Sequence, residues 1–186
     1  MGRLAVEQVV TVDGYAAEPD GGIGFFEAFA PEDLVDENQL EFMQHVDAIL
    51  FGANTYRMFT DYWPTADADA EPVAEPINRL PKFVVSNTLA DAPWGDGSIE
   101  ILRGDGAEAA AALKQRFERI VVWGSLTLAD ALFEAGLVEE VRLRMVPVLI
   151  GDGRSFTPSG LERRRLALDS ITPHPSGYVG MNYRVR

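Results

Sequence analysis

The sequence contains no cysteine, and this absence excludes disulfide bonds, thiolate metal sites and cysteine nucleophiles together. It contains two histidines, His45 and His174, which lie far apart in the chain and argue against a histidine-based metal site. No apolar run approaches the roughly 18–20 residues that a membrane-spanning helix requires. The first residues also lack the basic and then apolar pattern of a signal peptide. We therefore expect a cytoplasmic protein with no metal site and no membrane partner.

Basic side chains are scarce relative to acidic ones. The chain has 16 Lys and Arg residues against 29 Asp and Glu residues, which gives a formal net charge of −13. Such a surface repels nucleic acid and anionic lipid, which argues against both as partners. A phosphate-bearing cofactor remains possible, because backbone N–H groups and a few local cations can overcome the average field. With 186 residues, 47% of them hydrophobic, the chain suits a single domain over residues 1–186.

Short apolar runs alternate with helical segments along most of the chain. The runs at residues 4–12, 47–52, 82–86, 99–102 and 120–123 predict strands. Residues 166–171 and 178–185 resemble a closing antiparallel hairpin. Together these patterns predict an α/β fold with a mixed, mostly parallel sheet that carries helices on both faces.

Two of the predicted strands are followed at once by a glycine turn and a helix. Gly52 ends the strand at 47–52, and Gly124 and Ser125 follow the strand at 120–123. This arrangement points free backbone N–H groups and the positive end of a helix dipole at an anion. Our first hypothesis is that Gly124 and Ser125 receive a phosphate or pyrophosphate. The alternative is a strand–helix unit with a glycine turn and no ligand.

The second of these helices has a predicted inward face. Its apolar positions share one stripe, and Gly136 is expected to end the helix. The stripe consists of Leu128, Ala131, Leu132 and Ala135.

Four segments carry a resemblance to a known family. They read TVDG at residues 11–14, DAILFGANTY at 47–56, KFVVSNTL at 82–89, and WGS, GLVEE and PVLIGDG between residues 123 and 153. In this order they are similar to the motifs of the dihydrofolate reductase-like superfamily. The chain resembles most the branch related to the reductase domain of riboflavin biosynthesis. The resemblance implies a three-layer dihydrofolate reductase-like fold and NADPH as the cofactor.

The resemblance also implies which residues bind the cofactor, because the glycine turns hold NADPH in this family. Three groups are implied, which would meet the phosphates at a helix N-terminus, the adenosine ribose with its 2′-phosphate, and the pyrophosphate. In that order they are Gly52, Asn54, Thr55 and Tyr56; Ser86, Asn87 and Thr88; and Gly124, Ser125, Leu126 and Thr127.

Two positions depart from the motifs. Ala53 and Asn87 stand where the motifs have arginine, which removes two charge-assisted phosphate contacts, each worth about 1.5–3 kcal/mol when well formed. The choice of NADP over NAD therefore depends on other cations. The candidates are Arg57, Arg79, Lys82 and Arg103.

Two carboxylates are the candidate catalytic residues. Asp13 follows the first strand, where it would face the nicotinamide, and the alternative is an aspartate that forms the turn before Gly14. Asp36 lies on the first helix at a place similar to the substrate-binding carboxylate of dihydrofolate reductases. There it could bind an amino-pyrimidine-like edge or relay a proton. The alternative is an acid that complements the helix dipole, and its neighbours Glu32, Asp33 and Glu37 compete for both roles.

An aromatic wall over a flat heterocycle is a further hypothesis, with simple packing as the alternative. Its members would be Tyr15, Phe25, Phe26, Phe29, Tyr62 and Trp63. The resemblance then implies an NADPH-dependent reductase that transfers a hydride to a small pterin- or pyrimidine-like heterocycle, as a homodimer. The alternatives are a 5-amino-6-(5-phosphoribosylamino)uracil reductase and a catalytically silent binding module on the same fold.

Overall fold

The computed structural model describes residues 1–29 and 37–186. Its centre is an eight-stranded sheet. In chain order its strands are β1 (Arg3–Thr11), β3 (Ala48–Gly52), β4 (Lys82–Val85), β7 (Glu100–Leu102), β8 (Arg119–Trp123), β9 (Glu140–Val146), β11 (Leu166–Pro173) and β12 (Val179–Val185). Across the sheet the order is β11-β12-β9-β1-β8-β3-β4-β7. The six strands from β9 to β7 are parallel, and β12 and β11 add an antiparallel hairpin at one edge.

In residues 1–29 and 37–186, five helices cover the sheet. They are α1 (Glu37–Met43), α2 (Ala53–Tyr62), α3 (Ala74–Arg79), α4 (Gly106–Leu113) and α5 (Leu126–Glu134). Short elements complete the fold: 3-10 helices at Gly24–Ala28 and Trp63–Thr65, and the small strands β2 (Tyr15–Ala17), β5 (Pro93–Trp94), β6 (Gly97–Ser98) and β10 (Arg154–Ser155). Among the described residues, none of the helices has the length and apolar character needed to cross a bilayer.

Strands β3, β4 and β8 are buried on both faces of the sheet, which explains why they are short apolar runs. Neighbouring residues of one strand belong to opposite layers, as the pleat requires. On β3, Leu50 packs with residues of α4 and α5, whereas Ile49 and Phe51 pack with residues of α1, α2 and α3. The predicted three-layer α/β fold with a closing antiparallel hairpin is therefore confirmed.

One predicted helix face is partly wrong. The buried residues of α5 are Leu128, Ala129, Leu132 and Phe133. Ala135 is exposed and Ala131 is only half-buried. Burying a phenylalanine ring stabilises the fold far more than burying an alanine methyl group, so the helix turns Phe133 inward. The predicted stop at Gly136 holds, since Gly136 has a φ of 68° and Leu137 N–H donates to Leu132 C=O at 3.0 Å.

Candidate functional site

The three predicted cofactor turns meet at one edge of the sheet. Strands β8, β3 and β4 are parallel neighbours, so their carboxyl ends lie side by side. Gly124 and Ser125 follow β8, Gly52 ends β3, and Ser86 follows β4. Strand β1 ends next to β8 on the other side. We call this side the carboxyl edge. In open α/β sheets, ligands bind at this edge near the point where the strand order reverses.

Ser125 joins the first two turns. Gly52 N–H donates to Ser125 Oγ at 2.8 Å, Ser125 Oγ–H donates to Trp123 C=O at 2.8 Å, and Ser125 N–H donates to Thr55 Oγ1 at 2.7 Å. We call these three hydrogen bonds the Ser125 clasp. They hold the starts of α2 and α5 together.

The turn itself has an unusual backbone. Gly124 and Ser125 both have a φ of 52°, and Ser125 is the one residue other than glycine with a positive φ in the described chain. A Cβ atom on Gly124 would lie 2.9 Å from Thr55 Oγ1, so glycine is required there on two grounds. Left-handed backbone at a non-glycine residue is typical of functional sites, where the surrounding contacts maintain it.

Helices α2 and α5 both begin at this edge. Within the described residues, neither α2 nor α5 has a side chain hydrogen-bonded to its N-terminal N–H groups. By contrast, α4 is capped by Asp105, whose Oδ1 accepts from Ala107 N–H at 2.8 Å and Glu108 N–H at 2.9 Å. Asn54 and Thr127 are exposed in the first turns, and Leu126 is half-buried. Two adjacent uncapped N-termini form a site suited to an anion.

Two predicted cofactor residues face the protein interior. Tyr56 is only 2% exposed, its hydroxyl donates to Pro93 C=O at 2.7 Å, and burial raises its pKa. Thr55 is buried, and its hydroxyl oxygen accepts from Ser125. These two side chains stabilise the turn from within the protein.

The turn after β4 is closed by side chains on both sides. Ser86 Oγ accepts from Thr88 N–H at 3.2 Å and Leu89 N–H at 3.1 Å. Asn87 Oδ1 accepts from Gly104 N–H at 2.7 Å, so this residue links the turn to the end of β7. Arg103 donates from Nη1 to Ser86 C=O at 2.7 Å and lies exposed beside the turn.

The four candidate replacement cations differ in position. Lys82 is buried, donates to three carbonyls around the end of α3, and has its pKa lowered by burial to about 8. Arg79 pairs with Glu75 on α3 at 3.9 Å. Arg57 lies in the first half of α2, where it donates to Asn54 Oδ1 at 3.1 Å. Arg103 and Arg57 are therefore the two candidates at the carboxyl edge.

The candidate catalytic residue Asp13 is held by hydrogen bonds. Thr11 Oγ1 donates to Asp13 Oδ1 at 2.5 Å, and Gly151 and Ile150 N–H donate to Oδ2 at 2.8 and 3.1 Å. The Thr11 and Gly151 hydrogen bonds hold the pKa of Asp13 below its usual range. The carboxylate thus ties the end of β1 to the loop after β9. Asp36, with Glu32 and Asp33, lies outside the described residues.

The six aromatic residues do not form one wall. Phe25, Phe26 and Phe29 pack with Val146 and Tyr178. Trp63 packs beside Phe59 on α2, with ring centroids 5.9 Å apart, and Tyr62 meets Trp63 edge-on at 5.1 Å. Tyr15 lies on β2, paired with β10. The members thus contribute to separate packing groups.

A buried ionic group near the edge was missed by the sequence interpretation. Glu7 Oε1 accepts from Trp123 Nε1–H at 2.9 Å, and Oε2 accepts from Arg142 Nε–H at 2.7 Å and Arg144 Nη2–H at 3.5 Å. Gln39 Oε1 accepts from both guanidiniums. We call these five residues the Glu7 cluster.

The charge state of this cluster follows from its contacts. Burial opposes ionisation of Glu7, but Arg144 and Arg142 outweigh it and hold the pKa of Glu7 below its usual range. A signal was present in the sequence: Glu140, Arg142 and Arg144 recur at every second position of β9 and therefore share one face.

Known proteins resemble this chain in sequence and in fold. Residues 3–179 match the RibD C-terminal domain family, and the chain belongs to that family. Uncharacterized protein YyaP of Bacillus subtilis (strain 168) is 24% identical over 97% of this chain and 94% of its own length. A provisionally assigned riboflavin biosynthesis protein from Shewanella sp. PV-4 superposes with a TM-score of 0.77 at 19% identity, over 99% of both chains.

A more distant structure identifies the fold class. Dihydrofolate reductase from Enterococcus faecalis, complexed with NADP(H) and RAB-propyl, superposes with a TM-score of 0.59 at 13% identity. The superposition covers 100% of this chain and 97% of that one. The fold is therefore dihydrofolate reductase-like, and both the predicted superfamily and the predicted branch are confirmed.

The Ser125 clasp predicts a difference between two substitutions. Ser125→Ala should lower the free energy of unfolding by about 1–3 kcal/mol, because it leaves Gly52 N–H without its acceptor. Ser125→Gly loses the same bonds but relieves left-handed strain of roughly 1 kcal/mol, so it should cost less. Urea unfolding measures both, with the exposed Ser98→Ala as control. Equal stability of the two Ser125 variants would contradict this account.

We predict that the stability of the fold depends on pH through the carboxylate of Asp13. Its folded-state pKa lies below the unfolded value, so its ionised form stabilises the fold above the unfolded pKa of about 3.9 and this gain is lost as the pH falls through the folded pKa. Asp13→Asn should therefore lower the Tm at pH 7, and the gap to wild type should narrow below about pH 3.9. Thermal unfolding followed by circular dichroism tests this, with Asp96→Asn in the exposed β5–β6 turn as control. A gap independent of pH would show that the carboxylate charge is not responsible.

Proposed function

We propose that this protein is an NADPH-dependent reductase that transfers a hydride to a small pterin- or pyrimidine-like heterocycle. The observation that carries the proposal is the pair of uncapped helix N-termini joined by the Ser125 clasp at the carboxyl edge. Membership of the RibD C-terminal domain family supports it. The cofactor, when bound, supplies the hydride.

The three turns would bind a dinucleotide in one direction. Leu126 and Thr127 would offer backbone N–H groups to the pyrophosphate, with Asn54 beside them. Gly52, Gly124 and Ser125 would shape this site, because their own N–H groups already donate to Ser125 Oγ, Glu7 C=O and Thr55 Oγ1 in that order. Gly124 packs against Thr55, where a Cβ atom would lie 2.9 Å from the hydroxyl oxygen. The turn formed by Ser86, Asn87 and Thr88 would receive the adenosine ribose.

Arg103 is the residue that we propose for recognising the ribose 2′-phosphate. Asn87 has an amide that is hydrogen-bonded to Gly104, and it carries no charge. Arg103 lies beside the same turn, is exposed, and is positioned by Ser86 C=O. It could therefore supply from β7 the cation that the β4 turn lacks. Arg57 would serve the phosphate nearest Asn54.

The substrate side of the site is proposed with two carboxylates. Asp36 stays a prediction for the group that binds the heterocycle or relays a proton. Asp13 is ionised and accepts hydrogen bonds on both oxygens, which favours a role in positioning the loop of Ile150 and Gly151 over direct proton transfer. Water would be excluded by the aromatic residues that pack on either side of the edge.

Two other functions remain as alternatives. Reduction of 5-amino-6-(5-phosphoribosylamino)uracil is favoured by the family that the chain belongs to. A binding module that has lost catalysis is favoured by Ala53 and Asn87, which reduce the positive charge at the site. We further propose a cytoplasmic location for the protein.

We also propose that two copies associate through the C-terminal hairpin. Leu166, Leu168 and Ile171 are 43%, 55% and 57% exposed on the edge strand β11. In the pairing with β12 they lie opposite Val185, Tyr183 and Met181, which are every second residue of that strand. All three therefore lie on one face of the sheet, because the pairing shifts by one residue between Leu168 and Ser170. An exposed apolar strand at a sheet edge is a site for association.

The cofactor proposal is tested by titrating the protein with NADPH and NADH while following tryptophan emission. NADPH should bind at micromolar concentration and NADH more weakly. Arg103→Gln should weaken NADPH binding about tenfold, as expected for loss of a charge-assisted contact, and leave NADH binding unchanged. Arg79→Gln, which removes an equal charge from α3, should change neither. Failure of the folded wild type to bind either nucleotide would refute the reductase proposal.

The dimer is tested by size-exclusion chromatography with light scattering. Wild type should elute as a dimer and Leu168→Glu as a monomer, because a charge on the apolar face opposes its burial. Leu149→Glu is the control, since Leu149 is 70% exposed but lies in the loop after β9. A wild type that is monomeric at micromolar concentration would overturn the proposal.

A further inference from the structure

The order of the strands determines on which side the nicotinamide must lie, if the proposed function holds. The pyrophosphate site lies between the ends of β8 and β3, and the adenosine site lies at β4, the next strand beyond β3. The two halves of a dinucleotide extend in opposite directions from the pyrophosphate. The nicotinamide half is therefore directed towards β1, the neighbour of β8 on the other side. Adjacent strands are about 4.8 Å apart, so this is within reach of one ribose and its ring.

Trp123 is the aromatic residue closest in sequence to the Gly124–Ser125 turn. It is the last residue of β8 and directly precedes the Gly124–Ser125 turn. Its ring lies on the α1 and α2 face of the sheet, 5.7 Å from the Phe59 ring, and 7% of the residue is exposed. It is thus a firmly packed residue that directly precedes the proposed pyrophosphate site.

Glu7 determines how this indole is oriented. Glu7 of β1 pairs in register with Trp123 of β8 and with Arg142 of β9. Glu7 Oε1 accepts the indole N–H at 2.9 Å, and Oε2 accepts Arg142 Nε–H at 2.7 Å. Since each carboxylate oxygen has its own partner, the carboxylate cannot rotate without breaking one of the two hydrogen bonds.

The guanidinium of Arg142 is itself fixed. It lies 3.6 Å from the centroid of the Phe42 ring on α1, and its Nη2 donates to Gln39 Oε1 at 3.2 Å. An ionised carboxylate in the interior is expensive unless it is paired and hydrogen-bonded, and these contacts meet that condition. The Glu7 cluster thus connects α1, β9, β1 and the end of β8.

Strand β1 also holds the following residue of the turn. Gln8 points to the opposite face, and its Nε2–H donates to Gly124 C=O. Consecutive residues of β1 therefore fix consecutive residues of the turn, Trp123 by Glu7 and Gly124 by Gln8. Neither attachment involves the adenosine side of the site.

We propose that Glu7 is a positioning residue for the nicotinamide end of the site, because it fixes the indole of Trp123, beside whose exposed part the nicotinamide ring would bind. The proposal rests on the reductase function. It requires that loss of the Glu7 carboxylate affects the nicotinamide half of the cofactor and leaves the adenosine half alone.

The test compares NADPH with 2′,5′-ADP, which contains the adenosine half and the 2′-phosphate but no nicotinamide. Glu7→Gln keeps the shape of the side chain and removes its charge. We expect the Kd for NADPH to rise about tenfold, since the free energy of a hydrogen bond to a charged group corresponds to about this factor. The Kd for 2′,5′-ADP should change less than twofold. Isothermal titration calorimetry measures both.

A second variant removes the donor of the hydrogen bond between Trp123 and Glu7. Trp123→Phe keeps an aromatic ring and removes the N–H donor, so it should reproduce the selective loss of NADPH affinity. Glu7→Gln leaves one acceptor oxygen for two donors, Trp123 Nε1–H and Arg142 Nε–H. Both variants therefore disturb the same set of contacts, and the double variant should lose less than the product of the two single effects. If Glu7→Gln does not fold, Trp123→Phe by itself tests the positioning role of Glu7.

Glu140→Gln is the matched control. Glu140 is a buried carboxylate on the same face of the sheet, at the amino end of β9, and its Oε2 accepts from Arg119 at 2.5 Å. Its loss should lower stability as a broken buried ion pair does, without changing the ratio of the two affinities.

The outcomes separate this inference from the reductase proposal. If folded wild type binds neither NADPH nor 2′,5′-ADP, the reductase proposal fails and this inference fails with it. If wild type binds both, the reductase proposal stands and the ratio of Kd values decides. An equal weakening of both ligands by Glu7→Gln, an unchanged NADPH affinity, or the same selective loss in Glu140→Gln would overturn the positioning role.

Discussion

The Ser125 hydroxyl links two strands that are 67 residues apart at their nearest ends, and the arrangement of the carboxyl edge depends on that link. It accepts from the N–H of Gly52 and donates to Trp123 C=O, while Ser125 N–H donates to Thr55. These bonds require β3 and β8 to be parallel neighbours that end at the same level. They bring two helix N-termini together, which neither strand–helix unit could achieve alone.

Strand β1 supports this arrangement from the other side. One of its faces carries Leu4 and Val6 beneath α5, and the other carries Glu7 beneath α1. Burying a carboxylate in a central strand is tolerated because β9 supplies Arg142 and Arg144 from the same face. The polar side chains at this end of the sheet thus replace apolar packing with directional contacts, which define the position of Trp123 more closely than packing alone.

Local patterns in the sequence predicted most elements, because their causes are local. Short apolar runs ended by Gly52 and Gly124 are strands buried on both faces. The α5 face was only partly predicted, since helical periodicity cannot tell whether Phe133 or Ala135 meets the neighbouring layer. The fold brings the turns predicted from the cofactor motifs to one edge of the sheet, but spacing could not show that Thr55 and Tyr56 turn inward.

By itself, then, the sequence determined which segments are strands and helices, where glycine turns interrupt them, and which superfamily the motifs resemble. These features depend on side-chain size, polarity and backbone freedom over a few residues. Only the tertiary structure decided that β8 inserts between β1 and β3, that Asn87 binds Gly104, and that Glu7 meets Arg142. Such contacts join residues far apart in the chain. A hydrogen bond forms only when its donor and acceptor are placed to within a few tenths of an ångström, and only the packed fold establishes that placement.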